Sequence, residues 1–262
     1  MSKKRQRPFL DQKDSSRVAP LVTLSYDYVD GHVVPEHFHR EGQVVFAVRG
    51  VMTIRSDQGI WVVPPLRAVW IPPREAHSIV MTGAVPMRTL YFSPPFARDI
   101  AAECFVMNVS ALFRELIMHA CTRPRWRWGI AAERRLIEFV LDQIKSATAI
   151  GLQLSQPKDR RAVHIVDELT RNPRDARTLE QLSRHSGASK RTLERIFVEQ
   201  TGMTFGKWRQ QLRMLHAMRL LAAGDKVTTA ALEAGYRSPS AFIAAFRKSM
   251  GQTPNRYFAS AH

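Results

Sequence analysis

Cysteine is nearly missing from this chain: Cys104 and Cys121 are the only two in 262 residues, with no CxxC spacing. A disulfide framework is therefore excluded, and two isolated thiols fit a reducing compartment in which they are expected to be buried and unbonded. Long apolar runs are missing as well. No stretch approaches about 18 residues, so no segment is expected to span a membrane. The basic start, Met1 to Arg7, is not followed by an apolar core, so no signal peptide is read there. Together these absences place the expected location in the cytoplasm. Acidic residues are scarce: 39 Lys and Arg against 23 Asp and Glu give 39 − 23 = +16. That imbalance favours a polyanionic partner, nucleic acid before an anionic membrane, with a solubilising surface as the alternative. Neither a paired carboxylate nor a Ser/His/Asp set is visible, so the chain is not expected to be an enzyme.

What is present is organised around a stretch from Arg177 to Phe258 that states one structural idea twice. In the first copy, Leu179–His185 is predicted helical, Ser186-Gly187-Ala188 breaks it, and Ser189–Thr201 resumes. In the second, Thr229–Ala234 is the short helix, Gly235 the break and Pro239–Met250 the longer helix. Each long helix runs into a glycine, Gly202 or Gly251, suited to a left-handed C′ position. Each also carries aromatic or aliphatic residues four apart on one face, Leu193 with Phe197 and Phe242 with Phe246. Thr178 and Gln181 have capping-box spacing. Ser189 and Ser238 are placed as caps, the second followed by Pro239 at N1. Between the copies, Thr204–Ala223 reads as a continuous helix with Phe205, Trp208, Leu212, Leu215, Met218 and Leu221 at helical spacing. Short helix, tight turn and second helix form the helix-turn-helix arrangement.

Residues 18–95 have a different texture. Short β-branched and aromatic runs at Leu21–Tyr28, Gln43–Arg49, Val51–Arg55, Ile60–Val63, Ala68–Ile71, Ser78–Thr82 and Met87–Phe92 are separated by turn formers, a pattern of an all-β sandwich or barrel. Within it lies Gly31, then His37-Phe38-His39, Gln43 and Gly50, followed later by Pro72-Pro73-Arg74-Glu75-Ala76-His77. His37 and His39, two apart, are expected to share one face of one strand. Three imidazoles, His37, His39 and His77, plus the carbonyl oxygen of Gln43 form a ligand set for a divalent transition metal with open positions. The alternative for the same four residues is a metal-free polar effector pocket. Tyr26, Tyr28, Phe46, Trp61 and Trp70 are candidates for pocket walls or for core.

The remaining segments follow from composition. Residues 1–17 are polar and charged and are expected to form an N-terminal arm. Residues 96–145 are predicted helical over Ala97–Cys104, Ser110–Cys121 and Ile130–Lys145. Their apolar stripes are Leu112, Leu116, Ile117 and Ala120, and Leu136, Phe139, Val140 and Ile144. Arg123 to Trp128 reads as an exposed basic-aromatic turn. Residues 146–158, with Gly151 and Pro157 and no periodicity, are the expected linker. A helix begins near Asp159 and stops at Asn172-Pro173.

Two resemblances gather these readings. Leu182, Gly187, Ser189, Leu193, Arg195, Phe197, Gly202, Phe205, Arg213, Ala217, Leu220, Leu221, Gly235, Tyr236, Ser238, Ser240, Phe242, Phe246, Gly251 and Pro254 resemble the DNA-binding domain of the AraC/XylS family of bacterial transcription regulators. The Gly31–Gly50 and Pro72–His77 patterns resemble the two cupin motifs, with Gln43 where metal-binding cupins have Glu. The implied fold is α+β multidomain. It comprises an N-terminal cupin (a jelly-roll β-barrel) over 18–95, a helical dimerisation segment over 96–145, and an all-α domain over 159–262 with two helix-turn-helix units. The implied function is regulation of transcription by a homodimer. It would bind double-stranded DNA, answer to a small-molecule effector in the cupin and work with RNA polymerase. By resemblance, Arg191, Glu194 and Arg195 take the base-reading positions of the first recognition helix, beside Ser189 and Lys190. The second helix presents small residues, so Arg237, Ser238, Ser240, Arg247 and Lys248 are expected to hold phosphates. Arg209 and Arg213 are expected as phosphate contacts or ion-pair partners. A metal-dependent cupin enzyme with an accessory DNA-binding domain is the competing reading, and a nucleoid-type binder indifferent to sequence is a third.

Overall fold

The computed structural model describes residues 19–259; the expected N-terminal arm lies outside the described residues. The strands are β1 (Leu21–Tyr28), β2 (Val33–His37), β3 (Gly42–Ala47), β4 (Val51–Ser56), β5 (Gly59–Val63), β6 (Arg67–Ile71), β7 (His77–Thr82), β8 (Val85–Phe92), β9 (Phe105–Asn108), β10 (Arg125–Trp126), β11 (Ala149–Ile150) and β12 (Gln153–Leu154). They form a 7-stranded sheet in the order β10-β1-β8-β3-β6-β9-β11 and a 5-stranded sheet in the order β12-β5-β4-β7-β2. Alternation sorts the side chains: Val45 and Ala47 of β3 enter the core between the sheets with Ile54, Trp61 and Met81. Val44 and Phe46 enter a second core on the outer face of the larger sheet.

That outer core is closed by α2 (Ala111–Ala120) and α3 (Ala131–Lys145), which follow a short α1 (Pro94–Ala97). Their ends match the sequence reading to within a residue, because Ser110 caps α2 by accepting from Phe113 N–H. Their faces do not match. α2 buries Phe113, Ile117 and Ala120, and α3 buries Ile137, Val140, Leu141 and Ile144. Leu112 and Phe139, expected inside, stand 55% and 40% exposed. The expected walls Phe46 and Trp70 point into this outer core, away from the space between the sheets.

Two further expectations are corrected. The helix read over Ala97–Cys104 is only α1, and β9 follows, because Val106 and Met107 alternate between the two cores while β9 pairs with β6. The linker 146–158 is woven into the sandwich: β11 pairs with β9 and β12 with β5, while Leu152 and Leu154 are buried. Partner strands supply the hydrogen bonds that the segment's own composition does not advertise. The basic-aromatic turn is exposed as expected except at Trp126, where β10 pairs with β1 and the indole N–H donates to Ala120 O at 2.9 Å. Arg123 and Arg127 converge on Glu133.

The helical domain is α4 (Arg160–Arg171), α5 (Leu179–Ser183), α6 (Lys190–Thr201), α7 (Phe205–Ala222), α8 (Val227–Glu233), α9 (Pro239–Met250) and α10 (Pro254–Ala259). The Thr178–Gln181 capping box is formed in both directions, and Ser189 and Ser238 cap α6 and α9. Gly202 and Gly251 close those helices at φ 70° and 80°. The domain sits on the outward face of the smaller sheet, with α7 packed against β4 and β12. The Trp208 indole donates to Ser155 O at 3.0 Å, Gln211 donates to Gly151 O, and the Tyr257 hydroxyl donates to Pro65 O at 2.6 Å.

Candidate functional sites

The first site is a cup between the sheets. β2 ends at His37, which pairs in register with His77 at the start of β7. His39 lies beyond the strand, so the expected shared strand face is not what aligns the two histidines. The turn after β2 brings His39 back, and the ring centroids stand 4.4 Å (His37–His77), 5.2 Å (His39–His77) and 6.1 Å (His37–His39) apart. One nitrogen from each ring lies within 4.8 Å of the others.

The ring edges are fixed by backbone. His37 Nδ1 faces Pro35 O at 2.8 Å, His39 Nδ1 faces Glu41 O at 2.7 Å and His77 Nδ1 faces Glu75 O at 2.8 Å. A carbonyl only accepts, so the Nδ1 of His37 and of His77 carries the proton and donates, and their Nε2 edges turn to the cup, whereas His39 has an oxygen acceptor against each ring nitrogen. Gln43 is oriented with equal definition. Its amide donates to Thr89 Oγ1 and Tyr91 Oη, both at 2.9 Å, while Thr89 in turn donates to Val44 O. The Gln43 carbonyl oxygen is left 3.0 Å from His39 Nε2. An N–H at His39 Nε2 donates to that oxygen, and a cation held between the two atoms would take the place of this hydrogen bond.

Burial governs the electrostatics. His77 is fully buried and its Nε2 has no hydrogen-bond partner. Desolvation lowers its pKa to about 3, the Glu75 carbonyl opposes this, and the neighbouring histidines add a lesser lowering. Desolvation also lowers His37, and pushes the Tyr91 hydroxyl well above its ordinary range. The cup therefore holds His37 and His77 as neutral imidazoles that accept rather than donate at Nε2. Thr89 and Tyr91 were not singled out from sequence. Their signal was the period of two along a predicted strand, which puts both on the face that β3 presents Gln43 to.

The second site is the pair of long helices. On α6, Leu193, Ile196 and Phe197 are buried, while Lys190, Arg191, Glu194 and Arg195 are exposed. Lys190–Glu194 and Arg195–Glu199 are loose i,i+4 pairs at 4.0 and 3.7 Å, readily exchanged for other partners. On α9, Phe242 and Phe246 face in, and Ser240, Arg247 and Lys248 face out, with Arg237 exposed just before the helix. Of the two roles expected for Arg209 and Arg213, the ion pair is not formed among the described residues. Arg209 donates to Arg177 O at 2.6 Å, and Arg213 to Pro173 O and Asp175 O at 3.2 and 2.9 Å. They hold the loop after α4 against α7, a role that only the folded loop reveals.

Comparison with known proteins bears on both sites. Residues 19–205 match the AraC-like ligand binding domain, and residues 182–260 match a helix-turn-helix domain. The chain is 36% identical to the HTH-type transcriptional regulator NimR of Escherichia coli, over 95% of this chain and 90% of that one. This chain belongs to the AraC family of transcription regulators. It pairs a ligand-binding domain with a DNA-binding helix-turn-helix domain, and its named relatives are regulators rather than enzymes. The transcriptional regulator RipA of Corynebacterium glutamicum is 35% identical over 101 residues, 38% of this chain and 30% of that one. Among solved structures, ToxT from Vibrio cholerae is similar at a TM-score of 0.40 and 12% identity, covering 92% of this chain and 98% of that one. The DNA-binding domain of AdpA in complex with a target DNA is similar at a TM-score of 0.37 and 31% identity, covering 39% of this chain and 93% of that one. No helix among the described residues is long and apolar enough to cross a membrane.

Proposed function

We propose that this regulator reads two consecutive major grooves of one duplex, α6 by sequence and α9 mainly by backbone. The observation that carries the reading is the exposed basic face on each of two capped helices, joined by α7. At 18 residues, α7 spans roughly 27 Å, close to the ~34 Å between successive groove faces. Arg191 and Arg195 suit guanine O6 and N7, and Glu194 suits cytosine N4. Ser189, Lys190, Arg237, Ser238, Ser240, Arg247 and Lys248 take phosphates. The sensor unit runs from residue 19 to 158, and the reader from 159 onward. The exposed Leu112 on α2 and Phe139 on α3 are the homodimer surface, and the dimer works in the cytoplasm with RNA polymerase. The test is competition binding of the purified chain to promoter fragments at moderate salt. Preference for a fragment over scrambled duplex is expected, and equal affinity for all duplexes overturns it.

The effector enters the cup, and one observation favours a metal-bearing cup over a bare one. Each histidine already has its Nδ1 anchored on a carbonyl, the arrangement that orients metal-ligating imidazoles. Nε2 of His39 and the carbonyl oxygen of Gln43 stand 3.0 Å apart, the separation of neighbouring ligands on an ion held at about 2.1 Å. His37, His39, His77 and Gln43 therefore fit a divalent transition ion, which would supply open positions for a ligand's donor atoms. Cobalt(II) uptake with visible d–d bands, lost in His77→Ala, is the expected result; no uptake leaves a polar cup.

A further inference from the structure

The sensor and the helical domain meet over the outward face of the smaller sheet, and positive charge gathers there, with Glu233 the carboxylate that acts on it while ion-paired to Arg174. Arg219, in the last turns of α7, donates from Nη2 to His216 Nδ1 at 3.2 Å. Its Nε is buried and has no hydrogen-bond partner. From the sensor, Arg55 extends on the outward side of β4, the strand that α7 packs against, beside Ser78 of β7 in register. Among the described residues, neither arginine forms an ion pair with any carboxylate. Burial holds Arg219 below the ordinary arginine range, and the charge of Arg55 adds to the effect. His216 is lowered too, by burial first and by Arg219 second, with Glu233 opposing.

Such an arrangement is unfavourable as it stands. A desolvated guanidinium N–H without an acceptor costs free energy, and a second cation facing it across a domain boundary adds repulsion. Surface arginines normally escape this by turning into water or taking a carboxylate. Here α7 lies on the sheet and confines Arg219. A guanidinium fork matches the paired oxygens of a carboxylate or phosphate, and Arg55 and Ser78 stand on the facing side.

We propose that Arg55, His216 and Arg219 form a receptor for a small oxyanion, a carboxylate or a phosphate, lodged between the sensor sheet and α7. It is separate from the histidine cup. Ser56, the next residue on β4, is in register with His77 and faces inward, so one strand borders both sites on opposite faces. An anion held by both domains stabilises their docked arrangement, because separation forfeits half of its ligands.

The test is thermal unfolding of the full chain in inorganic phosphate, in succinate and in chloride at matched ionic strength and neutral pH. Phosphate or succinate is expected to raise Tm saturably above the chloride value, by about 5 °C or more at a hundredfold excess over Kd. The salt that succeeds tells phosphoryl from carboxylate. Arg55→Met and Arg219→Met should each abolish the rise. Arg55 is exposed, so its replacement decides the matter even if Arg219→Met fails to fold. No saturable rise in either salt, or a rise that survives Arg55→Met, overturns the proposal. Neither outcome depends on DNA binding or on what occupies the cup.

Discussion

Gly235 tests how the two helix-turn-helix units are locked together. It sits in the turn between α8 and α9 at φ +81°, and a Cβ there would lie 2.6 Å from Pro173 O, 2.9 Å from Arg213 Nε and 3.0 Å from Arg174 Cα. Gly187 occupies the equivalent turn of the first unit at φ +71° with nothing within 4 Å. Gly187→Ala therefore carries only the backbone penalty, about 1–2 kcal/mol, less roughly 0.4–1 kcal/mol from the stiffer unfolded chain. Gly235→Ala carries the same balance and must also push away the loop that Arg213 grips. Losing the Arg213 bonds to Pro173 O and Asp175 O adds about 1 kcal/mol each. The expected excess over Gly187→Ala is thus about 2 kcal/mol, a further fall of roughly 4–8 °C in Tm. Equilibrium unfolding measures the excess, and binding to a full operator and to its α6 half measures the consequence. The full operator should weaken more than the half-site, because the relative placement of α6 and α9 is disturbed. Equal costs for the two alanines would refute the idea that this close approach fixes the reader.

Arg195→Ala should weaken binding by about 1–3 kcal/mol at one base pair only, whereas Lys248→Ala should weaken all sequences alike and reduce the salt slope by about 1; binding isotherms on single-base operator variants separate the two. Tyr257→Phe removes the buried hydroxyl that donates to Pro65 O at 2.6 Å and should cost about 1–2 kcal/mol, seen as a lower unfolding midpoint and faster proteolysis of the domain junction. Leu112→Glu with Phe139→Glu should yield monomers in sedimentation without a lower Tm, since both side chains are exposed. Acid should destabilise the metal-free sensor. His77 has its folded pKa depressed to about 3, so the unfolded chain takes the proton first as pH falls through its ordinary value near 6.5. Stability is then lost between pH ~6.5 and ~3 at up to about 1.4 kcal/mol per pH unit, and His77→Gln should flatten that slope in a pH series of denaturation curves.

The features legible in sequence are those decided locally. Thr178, Ser189 and Ser238 accept from the backbone N–H three positions on, and Gln181 accepts from that of Thr178 three positions back, so their spacing announces them. Gly202 and Gly251 sit in left-handed conformations that their own chemistry allows. Seven of the strands from β1 to β8 stand out as β-branched and aromatic runs, β2 (Val33–His37) being the one without such a run, and the histidines could be grouped from motif alone. What escaped depends on distant partners. β9, β11 and β12 have weak patterns of their own and exist because β6, β9 and β5 offer free edges. Phe139 and Leu112 lie on the flank of helices whose inward direction is set by where the sheet stands, one step around the wheel from where hydrophobicity alone would point them. Arg209 and Arg213 looked like charge waiting for charge, and took carbonyls that a loop some forty residues back happens to expose.

The short strands of residues 146–158 settle where this protein can be cut and rejoined. A hybrid that exchanges the reader at residue 146 would strip an edge from each sheet and take the Leu152 and Leu154 side chains out of the sandwich. A splice at Pro157, past β12, keeps both edges with the sensor, but the incoming α7 must still present a tryptophan to Ser155 and a glutamine to Gly151. Grafted regulators that ignore those two anchor points would bind their promoters and yet be deaf to the cup.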